Sequence, residues 1–296
     1  MQNVEAYKEY ILNEKNIFVT TKFIEQTLRK YDITHKVKNL ENFKIAFVHI
    51  SYLKTQQLTD KFIKLLKEIE PVKINNNMVP LQENSYEVLE FLGDAVIHSI
   101  IAEYLHHRYP DKDQGFLTKL RTKIEKGETL NKFSRKLEFN KFAVISRNIE
   151  LAGGRENNIN IMEDIFEAFI GALKLETNYE TCQKFVINLI DSEIDFAELI
   201  NNEDNYKELL MQYYHKNGYK TTPTYHQVNQ VNTVDERPRK LFEMLVRNPD
   251  GKEIGRGTST SKVSAAQFAA KIALDKLGQI KEKSSAFDAG DEYYIY

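Results

Sequence analysis

The run that decides the fold is residues 86–96, Tyr86-Glu-Val-Leu-Glu-Phe-Leu-Gly-Asp-Ala-Val96. Apolar residues recur here at steps of three and four, which predicts a helix from about Ser85 to Tyr109 that Pro110 closes. On such a helix Glu90 and Asp94, four positions apart, share one face. Two like charges among apolar neighbours destabilise a fold unless a cation or a proton neutralises them.

A second acidic segment follows at residues 163–172, Glu163-Asp-Ile-Phe-Glu-Ala-Phe-Ile-Gly-Ala172. Asp164 and Glu167 share one face of a helix predicted from Ile161 to Glu176. Two helices that each carry an inward carboxylate pair could converge on a hard divalent cation such as Mg²⁺, which takes oxygen ligands and keeps several waters. Acidic pairs at this spacing also occur on solvated helix faces, so the spacing leaves both interpretations open.

Helical periodicity extends through the first two thirds of the chain, from Thr21 to about Ile200. Further helices are predicted over Gly115–Ile124, Glu128–Leu137 and Tyr179–Asp195. Polar stretches with glycine, proline or consecutive asparagines predict loops at Pro71–Asn84 and Ala152–Asn160. The expected fold of this part is therefore mainly α.

A small α+β unit follows a polar linker. Helix, three strands and helix (α-β-β-β-α) are predicted over Tyr206–Asn217, Thr224–Val231, Lys240–Asn248, Glu253–Thr258 and Lys262–Leu277. Gly255 and Gly257 are expected to let the segment before the last helix bend. The chain thus divides into an N-terminal extension (1–24), a helical domain (25–200), a linker (201–205), the α+β domain (206–280) and an acidic tail (281–296) expected to be disordered.

The charge is unevenly distributed along the chain. The net charge is −2, but residues 203–283 hold 14 Lys and Arg against 10 Asp and Glu, which leaves 27 against 33 for the remainder. An acidic part joined to a basic part suits a carboxylate-rich metal site tethered to a phosphate-binding module. The same distribution can also be an accident of surface composition.

The sequence also bears on the compartment. Cys182 is the only cysteine, so no disulfide can form within the chain, and a reducing compartment is expected. No apolar run is long enough to span a bilayer, and the first residues lack the pattern of a secretory or transit signal. We expect a cytoplasmic or nuclear protein with no membrane partner.

The run Glu87–Val96 resembles the signature of the catalytic domain of ribonuclease III, and similarity to that domain spans roughly residues 25–195. Four further elements occur in the family's order, one before the signature and three after it. Phe47–Tyr52 is similar to its "THxSY" element, Gly115–Arg121 with Glu128–Leu130 to its "LSxLR…NxxL" stretch, Gly153–Arg155 to the loop before its last acidic motif, and Asp164–Ala168 to that motif.

The resemblance implies a metal-dependent endoribonuclease. Its catalytic carboxylates, expected to hold Mg²⁺ or Mn²⁺, would be Glu90, Asp94, Asp164 and Glu167, with Glu87 in a supporting role near the dimer interface. Members of the family cut both strands of double-stranded RNA as homodimers and leave 5′-phosphate and 3′-hydroxyl ends with a short 3′ overhang. The apolar flank of the signature helix is either part of such an interface or core; it comprises Val88, Leu89, Phe91 and Leu92.

Residues 205–278 resemble a double-stranded-RNA-binding domain. The similarity implies RNA contacts by Met211 and Gln212 on the first helix and by Lys262 at the start of the last helix. The loop that enters the minor groove in the family is replaced here by a charged run in which Arg237, Arg239 and Lys240 either contact phosphate or are merely solvated. With few basic residues at the last helix, we expect RNA binding that is weaker or more salt-sensitive than that of a typical domain of this kind.

Some positions depart from the family pattern. Tyr86 and Val88 replace the usual asparagine and arginine of the signature, and Val48 replaces the threonine of "THxSY". His49 is therefore expected to be structural rather than catalytic. Two alternatives remain at this point: a catalytically silent protein that binds or sequesters double-stranded RNA, and a helical metal-site protein with no RNA role.

Overall fold

The computed structural model describes residues 4–54, 63–64, 66–201, 205–232, 240–259 and 261–279. Contacts divide the chain into two units, Met1–Leu199 and Ile200–Tyr296. The described part of the first unit is mainly helical, and that of the second combines helices with a three-stranded sheet. Among the helices of these described ranges, none is long and apolar enough to cross a bilayer. The predicted tail 281–296 lies outside the described residues.

The predicted helices of the first two thirds are confirmed to within two residues. The α-helices whose bounds lie within the described residues are α1 Lys8–Ile11, α2 Thr21–Arg29, α3 Glu41–Ile45, α4 Glu87–Arg108, α5 Gln114–Ile124, α6 Gly127–Lys136, α7 Arg147–Leu151, α8 Gly154–Asn157, α9 Ile159–Glu176, α10 Tyr179–Glu193 and α11 Phe196–Asn201. Single 3₁₀ turns span Val4–Tyr7, Ile50–Tyr52 and Phe139–Phe142.

The loop predicted over Ala152–Asn160 is wrong in its central part, where α8 forms one helical turn. Gly153 precedes it with φ 78°, in the left-handed region that glycine adopts readily. The side chain of Asn158 then accepts hydrogen bonds from the backbone N–H groups of Asn160 and Ile161 at the start of α9. A single polar turn has no periodicity to detect, which explains the difference.

Helices α4 and α9 pack with their backbones in direct contact. A Cβ built on Gly93 of α4 would lie 1.8 Å from the carbonyl oxygen of Glu167, and one on Gly171 of α9 would lie 2.1 Å from the carbonyl oxygen of Leu89. Only glycine fits at either position. Because the two helices approach so closely, the acidic face of α4 and that of α9 are brought together.

A buried polar network holds the N-terminal segment against the segment before α9. The Arg155 guanidinium, 7% exposed, donates to Glu150 Oε2 at 2.8 Å, to the Asn140 carbonyl at 2.8 Å and to Asn16 Oδ1 at 3.1 Å. Burial alone would raise the pKa of Glu150, but hydrogen bonds from Asn13 and Arg155 outweigh it and lower that pKa. Glu150 is therefore ionised, and its Oε2 accepts hydrogen bonds from both Asn13 and Arg155.

Replacing Arg155 with methionine is expected to lower the free energy of unfolding of the first unit by about 3 kcal/mol, because Glu150 would stay buried without its cation. Urea unfolding of the full chain, followed through its helical signal, measures this. The control is Arg29→Met, since Arg29 pairs at 3.5 Å with Glu25 while 60% exposed. That change should cost less than about 1 kcal/mol; equal losses in the two variants would contradict the prediction.

The second unit has the predicted order of elements. They are α12 Tyr206–Lys216, β1 Thr224–Asn232, β2 Lys240–Arg247, β3 Glu253–Ser259 and α13 Lys262–Lys276. The strands form an antiparallel sheet in the order β1-β2-β3. Its core joins Leu210 and Tyr214 of α12 to Val246 of β2 and to the apolar face of α13, Ala269, Ala270, Ala273 and Leu274.

The role predicted for Gly255 and Gly257 is wrong. Both glycines lie in β3 rather than in a bending loop. A Cβ on Gly255 would lie 2.2 Å from the carbonyl oxygen of Ala269, and one on Gly257 2.5 Å from its nitrogen. The glycines therefore allow α13 to pack directly on the strand.

Candidate active site

Four predicted carboxylates lie on the two helices that contact each other through glycine. Glu90 and Asp94 occupy successive turns of α4, and Asp164 and Glu167 lie on α9. Asp94 is exposed, whereas the other three side chains are half-buried. The start of α4 is set by Tyr86, whose carbonyl accepts the backbone N–H of Glu90 at 2.9 Å.

The electrostatics show that the two acidic pairs form one cluster. Burial raises the pKa of Glu167 to about 8, and the charges of Asp94, Glu163 and Glu90 add to the shift. Burial likewise raises the pKa of Glu90 to about 7, with Asp164 as the largest charged contributor. Burial also raises the pKa of Asp164. Each pair therefore repels the pair on the other helix.

This donor set fits a hard divalent cation. All members are carboxylates, the oxygen ligands that Mg²⁺ accepts, and their mutual repulsion is what a cation would relieve. Within the described ranges, no three His, Cys, Asp or Glu side chains already stand close enough to enclose a metal by themselves.

Two residues that the sequence did not assign to the site adjoin this cluster. The Tyr86 hydroxyl donates a hydrogen bond to Asp164 Oδ2 at 2.7 Å. Glu163 repels Asp164, Glu128 and Asp94, and its pKa is raised, first by burial and then by these charges. A usable signal was the helical step of four that separates Tyr86 from Glu90 and Glu163 from Glu167.

His49 and Glu87 lie beside the cluster rather than in it. The backbone N–H of Ser51 donates to His49 Nδ1 at 3.1 Å, and burial lowers the pKa of His49 to about 4. A neutral, hydrogen-bonded imidazole in this position has a structural role. Glu87 is exposed and accepts a hydrogen bond from the Ser85 hydroxyl at 2.9 Å.

Comparison with known proteins places the chain in a family. A family model described as ribonuclease-III-like matches residues 75–194, and one described as double-stranded RNA binding motif matches residues 206–277. A protein of Streptococcus gordonii named Ribonuclease 3 is 35% identical over 239 residues, which cover 81% of this chain and 90% of that protein. The chain belongs to the ribonuclease III family.

Other members of the ribonuclease III family resemble the chain to differing extents. Ribonuclease 3 of Streptococcus sanguinis is 34% identical over 88% of this chain and 97% of its own length. A probable ribonuclease 3 of Acanthamoeba polyphaga mimivirus is 39% identical over 67% of this chain but only 35% of that protein. The nuclease domain of ribonuclease III from Campylobacter jejuni is 26% identical, with a TM-score of 0.46 over 59% of this chain and 99% of that one.

Membership of the ribonuclease III family makes the chain an endoribonuclease, and its second unit carries the double-stranded RNA binding motif. Gln212 and Lys262 are exposed, whereas Met211 is half-buried. Lys262 is the first residue of α13, and its ammonium group lies 5.6 Å from the ring centroid of Phe242. Arg237, Arg239 and the side chain of Lys240 lie outside the described residues.

The raised pKa values of Glu90 and Glu167 predict how pH affects the metal-free protein. Glu90 and Glu167, with folded-state values of about 7 and about 8 against an ordinary 4.5, hold protons that the unfolded chain has lost. Their contribution to stability is therefore full at low pH and is lost as pH rises from 4.5 towards about 8. In EDTA, Glu167→Gln should gain melting temperature relative to wild type across this window. A difference that does not change with pH, measured by calorimetry, would contradict this.

Proposed function

We propose that the chain hydrolyses phosphodiester bonds on both strands of double-stranded RNA with Mg²⁺, or with Mn²⁺ in its place. The products would carry 5′-phosphate and 3′-hydroxyl ends with a short 3′ overhang. The observation that carries this proposal is the convergence of two mutually repelling carboxylate pairs on α4 and α9, in a chain that also has a double-stranded RNA binding motif.

The metal would be held by Glu90, Asp94, Asp164 and Glu167, with Glu87 in a supporting position. When bound, Mg²⁺ supplies polarisation of the phosphodiester and a water of lowered pKa for in-line attack. The residues of the chain prepare the site. Because the pKa values of Glu90 and Glu167 are raised, their carboxyl groups must release protons near neutral pH before their oxygens can serve as ligands.

We further propose that two chains pair through the signature helix, each cutting one strand. Val88 and Phe91 of α4 are 80% and 81% exposed, whereas Leu89 is buried and Leu92 packs against the core. The apolar flank thus divides into a core part and a surface part. Large apolar side chains so exposed, one helical turn apart, are typical of a surface that another protein covers.

Replacing Phe91 with serine is expected to lower the self-association constant at least about 10-fold. An aromatic side chain at the centre of an interface can contribute about 2 kcal/mol or more to binding. Sedimentation equilibrium of the full chain measures it. The control is Phe268→Ser on α13, another phenylalanine, 49% exposed. If both variants associate like wild type, the proposed interface is wrong.

The RNA contacts proposed for the second unit are Met211, Gln212, Arg237, Arg239, Lys240 and Lys262. We propose domain boundaries at 25–200 and 206–280, with a linker at 201–205.

Cys182 is buried, and burial raises the pKa of its thiol to about 12, so this residue requires no oxidising compartment. We propose the cytoplasm or the nucleus as the place of action.

The test of this function is incubation of the purified chain with a long perfect RNA duplex, in Mg²⁺ and in EDTA. Cutting only with Mg²⁺, to short duplexes with 3′ overhangs and 5′-phosphates, is the expected result. If the duplex were bound but not cut at any metal ion or salt concentration tested, the proposed cleavage activity would be wrong. The chain would then be a protein that sequesters double-stranded RNA. If the chain neither bound nor cut the duplex, the remaining alternative would be a helical metal-site protein without an RNA role.

A further inference from the structure

Tyr86, the residue immediately before α4, connects the start of that helix to the acidic cluster. Its side chain is buried, 3% exposed, and its hydroxyl donates to Asp164 Oδ2 at 2.7 Å across the contact between α4 and α9. A neutral phenol donating to a carboxylate forms a charge-assisted hydrogen bond, stronger and more directional than one between neutral groups. The contact therefore restrains Asp164 as well as Tyr86.

The phenol is itself held in place. The Tyr86 backbone N–H donates to the Val48 carbonyl at 2.8 Å, and the Tyr86 carbonyl accepts the N–H groups that begin α4. Its ring packs edge-on against His49, with centroids 5.8 Å apart and an interplanar angle of 66°. His49 is fixed in turn by Ser51, whose hydroxyl lies 2.8 Å from its Nδ1. A donor anchored through its backbone and its ring can impose an orientation on the group it binds.

We propose that Tyr86 is a positioning residue that fixes the rotamer of Asp164 through Oδ2 and thereby presents Oδ1 to the divalent cation. This rests on the proposed function, in which Asp164 is a metal ligand. A carboxylate ordered before the cation arrives loses less rotational freedom on binding. Partners that orient metal ligands typically change metal affinity by about 10- to 100-fold when removed.

The test replaces Tyr86 with phenylalanine, which keeps the ring packing and removes only the hydroxyl. The matched control is Tyr52→Phe, because Tyr52 is equally buried and its hydroxyl donates to the Val79 carbonyl at 2.8 Å, in a hydrophobic cluster separate from the one that contains Tyr86. Binding of Mn²⁺ to the full chain without RNA is measured by electron paramagnetic resonance. The Mg²⁺ dependence of duplex cleavage is measured beside it.

Tyr86→Phe is expected to weaken Mn²⁺ binding about 10-fold and to raise the half-saturating Mg²⁺ concentration by the same factor, with cleavage restored at high Mg²⁺. Tyr52→Phe should change neither quantity. In an Asp164→Asn background, removing the Tyr86 hydroxyl should have no further effect on Mn²⁺ affinity, because the restrained ligand is already lost.

Two results would overturn the inference: Mn²⁺ affinity in Tyr86→Phe equal to that of wild type, or an equal loss in Tyr52→Phe. A wild-type chain that binds Mn²⁺ and cleaves, beside a Tyr86→Phe variant that matches it, rejects the positioning role alone. A wild-type chain that neither binds Mn²⁺ nor cleaves rejects the proposed function together with the role of Tyr86.

Discussion

Replacing Glu167 with glutamine is expected to slow cleavage of a long RNA duplex about 1,000-fold, corresponding to ~4 kcal/mol of lost transition-state stabilisation. Glutamine keeps the volume of the side chain, so the close packing of α9 on α4 should survive. The change removes a half-buried carboxylate on which Asp94, Glu163 and Glu90 all act. Single-turnover rates at saturating Mg²⁺ measure the effect on the chemical step.

The matched control is Glu176→Gln, the same substitution on the same helix. The Glu176 carboxylate accepts the backbone N–H of Lys38 at 2.6 Å and contacts His35 at 2.9 Å, so it ties a loop to the end of α9. Its loss should reduce stability and leave the chemical step unchanged. Both variants should bind the duplex like wild type in EDTA. Cleavage by Glu167→Gln at the wild-type rate would remove Glu167 from the catalytic set.

The sequence predicted the helices of the first unit because their apolar periodicity is local. It also predicted the pairs Glu90 with Asp94 and Asp164 with Glu167, since each pair lies within one helix. That the two pairs meet was not derivable from spacing, because it depends on a contact between helices far apart in the chain. Only the resemblance to ribonuclease III implied it, and the close approach at Gly93 and Gly171 supplies the physical cause.

Contacts between distant elements also explain what the sequence could not show. The hydrogen bond from Tyr86 to Asp164 joins residues 78 positions apart, so no local pattern contains it. Gly255 looked like a flexible position, but its role is set by Ala269 on a helix that follows later. In each case the residue type was visible in the sequence, whereas the distant neighbour that determines its structural role was not.

Replacing Gly93 with alanine is expected to abolish detectable cleavage and to lower the free energy of unfolding by about 3 kcal/mol or more, beyond most overpacking costs. The added Cβ would meet the Glu167 carbonyl oxygen at 1.8 Å and its carbon at 2.5 Å. Both are backbone atoms, so no side-chain rotation can relieve the contact and α4 must move away from α9. That movement separates Glu90 and Asp94 from Asp164 and Glu167.

The predicted loss of stability is opposite in sign to the usual effect of replacing glycine with alanine in a helix. Within a helix, alanine is ordinarily more stable than glycine by up to about 1 kcal/mol. Gly115→Ala on α5 is the control, because its Cβ would meet only the Asp113 side chain, at 3.3 Å, which can shift. We expect unchanged cleavage and near-unchanged stability there. If Gly93→Ala were as stable as wild type and still cut RNA, the close approach of α4 and α9 would not be what assembles the carboxylates, and the proposed site would lose its structural basis.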